Sequence, residues 1–390
     1  MTTSGLAAPK PQRLISLDVV RGITIAFMIM VNNNGGPGSW GFMNHSLWNG
    51  LTPTDLVFPT FLFVVGITTV FAYQARLAKG ATRAQLAKHT IIRAVVLILL
   101  GLVVNNFPFF HWTHMRFYGV LQRIGICYLI VGLFYLANLT GKRVTAKAVA
   151  FLVICLLGYW ALVRLVPVPG AGVPGRNIPF LDKDQNIVAY VDRQLMPGHL
   201  YEERPAHDTR DPEGLLSDIP AVGTALLGLL AGLYLRTSRS NKQKALGLIA
   251  GCAACLALGY FWSIWFPVNK KMWTSSYVLV SAGYSLALLA FCYWLIEIKN
   301  WRKGWTWPWL IFGSNAITAY MISELLPGIL DLFHVSEAGR SVPISAWFFT
   351  HVNAHIPDPG WAAFSWSVLF AAVCFVPVWI MYKKKIFVKI

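Results

Sequence analysis

Charge is scarce in this 390-residue chain. Charged residues make up 13% of it, about half the roughly 25% of soluble domains, which excludes an ordinary soluble globular protein. Acidic residues are the scarcer sign, 16 against 33 Lys and Arg. The six cysteines, at positions 127, 155, 252, 255, 292 and 374, all fall inside apolar runs, so none is available for a disulfide in a polar loop. Cys252 and Cys255 have no His or further Cys beside them, which speaks against a metal site and for small helix-packing residues. No metal is expected anywhere. There is no G-x-S-x-G elbow, no H-E-x-x-H pair and no Walker loop; Gly35-Gly36-Pro37-Gly38 lacks the Lys-Ser/Thr of a phosphate loop. The apolar runs also lack the alternation of a membrane barrel.

What the chain has instead is apolar length. Hydrophobic residues reach 56%, in runs long enough to cross a bilayer. Ten are predicted, at 15–33, 56–77, 90–106, 117–138, 147–166, 215–235, 245–266, 275–296, 308–326 and 361–382. Unpaired backbone is too costly in lipid for anything but helices here, so the expected fold is all-α: one polytopic membrane bundle over 15–382 with no internal domain boundary. Residues 1–14 form a short tail without a cleavable signal, and 383–390 a basic tail. Gly247 and Gly251 have the spacing that permits close helix contact.

Charge sets the expected orientation. With ten spans, both termini share a side with loops 76–93, 139–147, 236–244 and 297–303, which are dense in Lys and Arg, Glu297 being their one acid. By the positive-inside rule that side, with both termini, is cytoplasmic. The net charge of +17 is then explained by topology and anionic lipid, without nucleic acid. The long opposite loop, 167–214, carries most of the acids and a Pro/Gly-rich start, and is expected outside.

Function is sought first between residues 32 and 66, where a glycine-rich break, His45, Trp48-Asn49-Gly50 and Asp55 interrupt two spans; polar groups at such a place are expensive unless they perform a task. Pro37 and its glycines end the first helix, and Thr52-Pro53 opens the second as N-cap and first helical position. His45 is thus held between two helix ends, where a neutral imidazole could accept a proton at neutral pH. Asp18 and Arg21, three apart, can pair, and Arg21, Met28 and Asn32 share one helix face turned into the bundle. Arg123 lies inside a span and needs a partner or a ligand. His111 and His114 belong to an aromatic outer loop and make a poor metal motif. Trp40, Trp48, Trp112 and Trp273 gather on the outer side, as an aromatic belt or as a platform for sugar rings. Asn315, Tyr320 and Glu324 are further polar positions in the ninth span.

These residues carry a family resemblance. Ser16-Leu-Asp18 with Arg21-Gly22, Val31-Asn32, His45-Ser-Leu-Trp-Asn-Gly-Leu-Thr52 and Asp55-Leu-Val-Phe-Pro59 resemble the start of the heparan-α-glucosaminide N-acetyltransferase family, bacterial-type members included. The match continues through Gly119-Val-Leu-Gln-Arg-Ile-Gly125, Asp211-Pro-Glu-Gly-Leu-Leu216, Pro267-Val-Asn-Lys-Lys-Met-Trp-Thr-Ser-Ser-Tyr277 and Gly313-Ser-Asn-Ala316. It runs over roughly residues 13–326 and weakens in the last 60. The large luminal domain that precedes the bundle in the lysosomal enzyme is missing, which points to a bacterial inner-membrane protein and leaves the acceptor open. The loop between Asn32 and His45 is slightly longer, so any of Asn32, Asn33 and Asn34 could take the family's asparagine role; the Val-Asn context selects Asn32.

The resemblance implies acetyl transfer across the membrane, from cytosolic acetyl-CoA to the amine of a glucosamine-type sugar outside. It implies His45 and Asn32 as catalytic, with Asp55 orienting the imidazole. Arg21 and Arg123 are then candidates for holding the coenzyme, and Trp40, Trp48, Asn49 and Glu324 for the sugar. A homodimer is possible. A sugar or lipid-linked glycan transporter or flippase, suggested by intramembrane charge and broken helices, is the competing class; an envelope-polysaccharide O-acyltransferase is a third.

Overall fold

The computed structural model describes residues 14–36, 38–139, 143–201, 208–337 and 339–388. The expectations for the tail before Leu14, for Pro37 and for the last two residues lie outside these. Nine described helices are long and apolar enough to cross a membrane. In chain order they are α1 (Ile15–Asn32), α2 (Val57–Leu77, entered through a turn at Pro53–Leu56), α3 (Arg83–Asn106), α4 (Val120–Asn138), α5 (Val144–Leu165), α7 (Asp218–Leu235), α8 (Asn241–Ser263), α9 (Ser275–Tyr293, extended by a π-turn to Ile298) and α13 (Pro359–Lys383). A short α6 (Ile187–Leu195) lies in the long loop.

The tenth expected span is broken. It is divided into α10 (Trp307–Ser314) and α11 (Ala316–Asp331), with Asn315 between them outside helical geometry. Asn315 is buried and grips the chain's far end: its Nδ2 donates to the Ile386 carbonyl at 3.0 Å, and Val388 N–H donates to its Oδ1 at 2.9 Å. The side-chain amide thus bonds one edge of the segment 386–388 at the point where the helix is interrupted. After α11 come a two-stranded hairpin, β1 (His334–Glu337) with β2 (Arg340–Pro343), and α12 (Ile344–Ala354). This hairpin is the one regular sheet among the described residues of an otherwise all-α fold.

Small residues set the tightest crossings. A Cβ at Gly22 would overlap the Trp309 carbonyl, and one at Gly313 the Asp18 carbonyl, so α1 and α10 touch backbone to backbone. Gly66 and Gly228 do the same for α2 and α7. Gly247, by contrast, makes room for the Tyr234 hydroxyl rather than for a neighbouring backbone.

The Ser367 hydroxyl near the start of α13 donates to the Asn33 carbonyl just past the end of α1, at 3.0 Å. The two helices are therefore antiparallel, and α1 begins at the bundle end where α13 finishes. Loops 78–82, 236–240 and 299–306 lie at that basic end. The other end carries 38–56, 107–119, 166–201, 208–214 and 264–274.

Candidate active site

The site is built from the loop that sequence reasoning singled out. Thr52 and Pro53 start the turn into α2 as expected. Asp55, in the first turn, gathers its donors onto one oxygen. Its Oδ2 accepts from Ser46 N–H (3.1 Å) and Thr52 N–H (3.0 Å), while the Thr52 hydroxyl, 3.1 Å away, gives its one hydrogen to the Asn44 carbonyl at 2.7 Å. That leaves Oδ1 for His45 Nδ1, at 2.7 Å. The carboxylate therefore fixes the imidazole with its proton on Nδ1 and a lone pair on Nε2. The Asp55 side chain is 1% accessible and that of His45 43%: the pair is anchored at one end and open at the other. Asn44 stiffens the approach, accepting from Asn34 Nδ2 (2.8 Å) and Ser39 Oγ (3.1 Å) and donating to the Ser39 and Trp40 carbonyls.

A distant segment meets this loop. Gly50 N–H donates to the Val268 carbonyl (2.8 Å), Asn269 Nδ2 to Asn49 Oδ1 (3.0 Å) and Lys271 Nζ to the Leu47 carbonyl (3.0 Å). The stitching carries Lys270 onto His45, with Nζ 3.1 Å from Nε2 and 3.3 Å from Nδ1. Burial and then the Lys270 charge depress the His45 pKa below 6.5, against the pull of Asp55, so the imidazole is neutral at neutral pH. Burial also lowers the Lys270 pKa, opposed by Glu213 and Asp55.

Behind Lys270 lies a buried ion network. Arg116 clamps Asp211 with two hydrogen bonds, at 2.9 and 2.7 Å, and reaches Glu213 at 2.7 Å. Arg123 donates to Asp218 (2.8 Å), to the Pro212 and Gly214 carbonyls and to the Ser217 hydroxyl, with its guanidinium over the Trp273 ring. Arg123 thus has the partner its burial demanded, and every arm of it meets protein. Burial pushes the Glu213 pKa up, but Arg116, Arg123 and Lys270 outweigh that and hold it below the usual range.

The remaining candidates separate. Of the three asparagines, Asn33 turns back to the Ile29 carbonyl and Asn34 into the loop, while Asn32 Nδ2 donates to Glu324 Oε1 at 2.8 Å. Trp48 is tied by Nε1 to the Leu181 carbonyl (2.8 Å), with the Arg210 guanidinium over its ring. Trp40 packs among Trp361, Phe364 and Phe42. Arg21 pairs with Asp18 at 2.9 Å, as spacing predicted.

Arg21 also lines a cavity of about 850 Å³. Arg76, Arg93, Tyr382, Phe387 and Val388 line it at the basic end, and Met28, Phe61, Val120 and Tyr320 further along. From Arg76 to Phe61 is 15 residues of one helix, roughly 22 Å at 1.5 Å per residue. Met28 and Tyr320 are each one helical turn short of Asn32 and Glu324, so the cavity ends just below that pair and does not itself include His45. Among the described residues no group of three His, Cys, Asp or Glu is placed to hold a metal.

Fold and site together define a polytopic helical membrane protein with a histidine–carboxylate centre at one end and a long cavity opening toward the other. The sequence comparisons agree with the resemblance. The family described as heparan-alpha-glucosaminide N-acetyltransferase, catalytic, matches residues 13–167, which contain His45, Asp55 and Asn32. Heparan-alpha-glucosaminide N-acetyltransferase of Homo sapiens is 28% identical over 425 residues, covering 97% of this chain and 60% of the human protein. Its Mus musculus counterpart is 29% identical over 358 residues, covering 80% and 54%. The chain therefore spans little more than half the length of these relatives.

Proposed function

We propose that the protein is a transmembrane N-acetyltransferase that moves an acetyl group from acetyl-CoA, entering at the basic end, to the amine of a glucosamine-type sugar at the opposite, extracytoplasmic end. The observation that carries this reading is the His45–Asp55 pair, held as the Nδ1–H tautomer, at the end of the bundle toward which the cavity leads. Arg76 and Arg93, with Arg21, suit the coenzyme's phosphates at the mouth; the apolar walls suit its extended arm. Asp55 orients the ring, and the Nε2 lone pair either takes the amine proton or the acetyl group itself. Asn32, set by Glu324, stands where the cavity ends and can donate its second amide hydrogen to the thioester oxygen. Trp40, Trp48 and Asn49, on the same outer loop as His45, remain the candidates for the acceptor's surface, although each is tied to other partners here, and Arg123 braces the 211–214 loop rather than the coenzyme. The positive-inside distribution makes the basic end cytoplasmic and suits a bacterial inner membrane.

The transport reading would use the broken helix as a substrate site; Ser314 and Ala316 beside the break do line the cavity, but the Asn315 side chain is committed to Ile386 and Val388 rather than offered to it. The test is mass spectrometry of products from membranes given labelled acetyl-CoA and a panel of amino sugars. Label on an amino sugar, lost in His45→Ala at equal membrane level, is the expected result. A fully active His45→Ala would sink the proposal, and so would sugar counterflow in liposomes without any acetyl transfer.

A further inference from the structure

Lys270 is a residue that the proposed reaction has not yet used, although it makes the closest approach of any cation to His45. Its Nζ is almost equidistant from the two ring nitrogens, 3.1 and 3.3 Å. An ammonium in the ring plane at that distance from both would overlap the carbon between them. It therefore lies over the ring face, and the in-plane lone pair of Nε2 stays free. The placement is built in. Asn269, fully buried, donates its N–H to Thr274 Oγ1 at 3.0 Å and accepts from Met272 N–H at 2.9 Å. Trp273 holds a left-handed backbone, with its ring packed edge-on to Phe58 and Tyr277. The neighbouring Lys271 is turned away to the Leu47 carbonyl. Carboxylates at Asp55 and Glu213 lie within electrostatic reach of Lys270, so its charge is balanced without being fixed in a direct ion pair.

We infer that Lys270 is a catalytic residue of this centre, supplying the positive charge met by the acetyl carbonyl oxygen as that oxygen becomes anionic beside His45 Nε2. The inference rests on the acyl-transfer reading above. In the step, the amine nitrogen bonds to the thioester carbon, and the carbonyl π pair moves onto oxygen, against the Lys270 ammonium. The amine proton passes to His45 Nε2. Collapse restores the carbonyl and expels the thiolate, which takes the proton back from Nε2. Lys270 keeps its protons throughout and the net charge does not change. A donor aimed at the oxygen where charge develops is worth about 10²–10³ in rate.

The test uses the full chain in membranes, with Lys270→Met and Lys270→Arg compared in labelled acetyl transfer. His45 carbethoxylation by diethyl pyrocarbonate is followed against pH by mass spectrometry as a second readout. Lys270→Met should lower kcat by about 10²–10³-fold, leave the donor KM within about threefold, and recover in part with added methylammonium; Lys270→Arg should keep a larger share of the rate. Removing a cation about 3 Å away should also move the pH midpoint of His45 modification upward by roughly one unit. A Lys270→Met kcat within about threefold of the parent would overturn the inference. So would a loss that neither Arg nor methylammonium recovers, with the His45 midpoint unmoved, since that describes a prop. A parent protein that transfers no label would overturn the acyl-transfer reading itself, and this inference with it.

Discussion

Replacing Asp55 with Asn isolates the imidazole's tautomer, because the geometry dictates how the new amide must sit. Two donors, Ser46 N–H and Thr52 N–H, converge on Oδ2. Both are backbone groups with no other role to rotate into. The amide oxygen must therefore take the Oδ2 place, which turns the NH₂ group toward His45 Nδ1 at the 2.7 Å position. Nδ1 can meet an NH₂ only as an acceptor, so the ring proton moves to Nε2 and the reactive lone pair disappears. Misplacing the tautomer in a histidine–carboxylate pair lowers kcat by about 10⁴-fold, equivalent to about 5.5 kcal/mol of barrier. The fold should survive, since both Oδ2 donors keep an acceptor. Acetyl transfer with labelled acetyl-CoA, alongside thermal unfolding in detergent, measures both quantities. An Asp55→Asn protein with kcat within about tenfold of the parent would refute the tautomer argument. Asp55→Ala is the contrasting variant: it strands two backbone donors and should lose stability as well as rate.

Three further predictions address other parts of the molecule. Arg76→Met or Arg93→Met alone should raise the acetyl-CoA KM by about 10–100-fold with kcat little changed, since a charged hydrogen bond is worth about 1.5–3 kcal/mol; an unchanged KM in both would remove this cavity as the donor's place. Asn315→Ala frees the segment Ile386–Val388 from the helix break, and trypsin should then cut after Lys383–Lys385 several-fold faster; equal rates would show that the amide does not hold it. Burial raises the pKa of Asp192, in α6, from 3.8 to about 7, so the folded state binds that proton more tightly than the unfolded one. Its contribution is fully present below about pH 4 and is lost as pH rises to about 7. Asp192→Asn should therefore unfold at a higher temperature than the parent at pH 8, and a lower Tm there would contradict the assignment.

Local signals were legible in the sequence and long-range ones were not. Nine spans follow from apolar run length, but α3 starts at Arg83 rather than 90 and α8 at Asn241 rather than 245, because capping boxes at Thr82 and Ser240 carry each helix out through polar turns. The Asp18–Arg21 pair follows from helical spacing, and the Thr52-Pro53 start from capping chemistry. His45 and Asp55 are ten residues apart in one polar loop, so their meeting needs only that loop to fold on itself. Glu324 is 292 residues from Asn32 and Lys270 is 225 from His45; nothing in spacing pairs them. Lys270 sat in plain view inside Asn269-Lys-Lys-Met-Trp273, but two adjacent lysines look like solvated charge until the structure turns one onto the ring and the other away. The break at Asn315 was hidden because Gly313-Ser314-Asn315 lies inside a run long enough for one unbroken span, and Gly is common in membrane helices that do not break. The partner of Arg123 was required by burial, but its identity as Asp218 depends on how α4 packs on α7.

The position of these groups has a common physical reason. Asp55 sits in the first turn of a helix, where backbone N–H groups have no intrahelical partner and the helix dipole is positive. It takes the Thr52 N–H as a cap, and that same environment keeps it ionised beside a histidine. Lys270 precedes the start of α9, on a loop whose N–H groups are satisfied by Asn269 and Thr274. Asn32 closes the last turn of α1, where the helix no longer needs its side chain for packing and can offer it to Glu324. A site made from mid-helix residues would have had to bury these charges in lipid-facing or tightly packed positions, at about 2.5–3.5 kcal/mol each on insertion scales. Helix ends at one face of the bundle supply both the dipoles and the unpaired donors that hold such groups, and they leave Nε2 open to whatever arrives from the cavity below and from the aqueous side above.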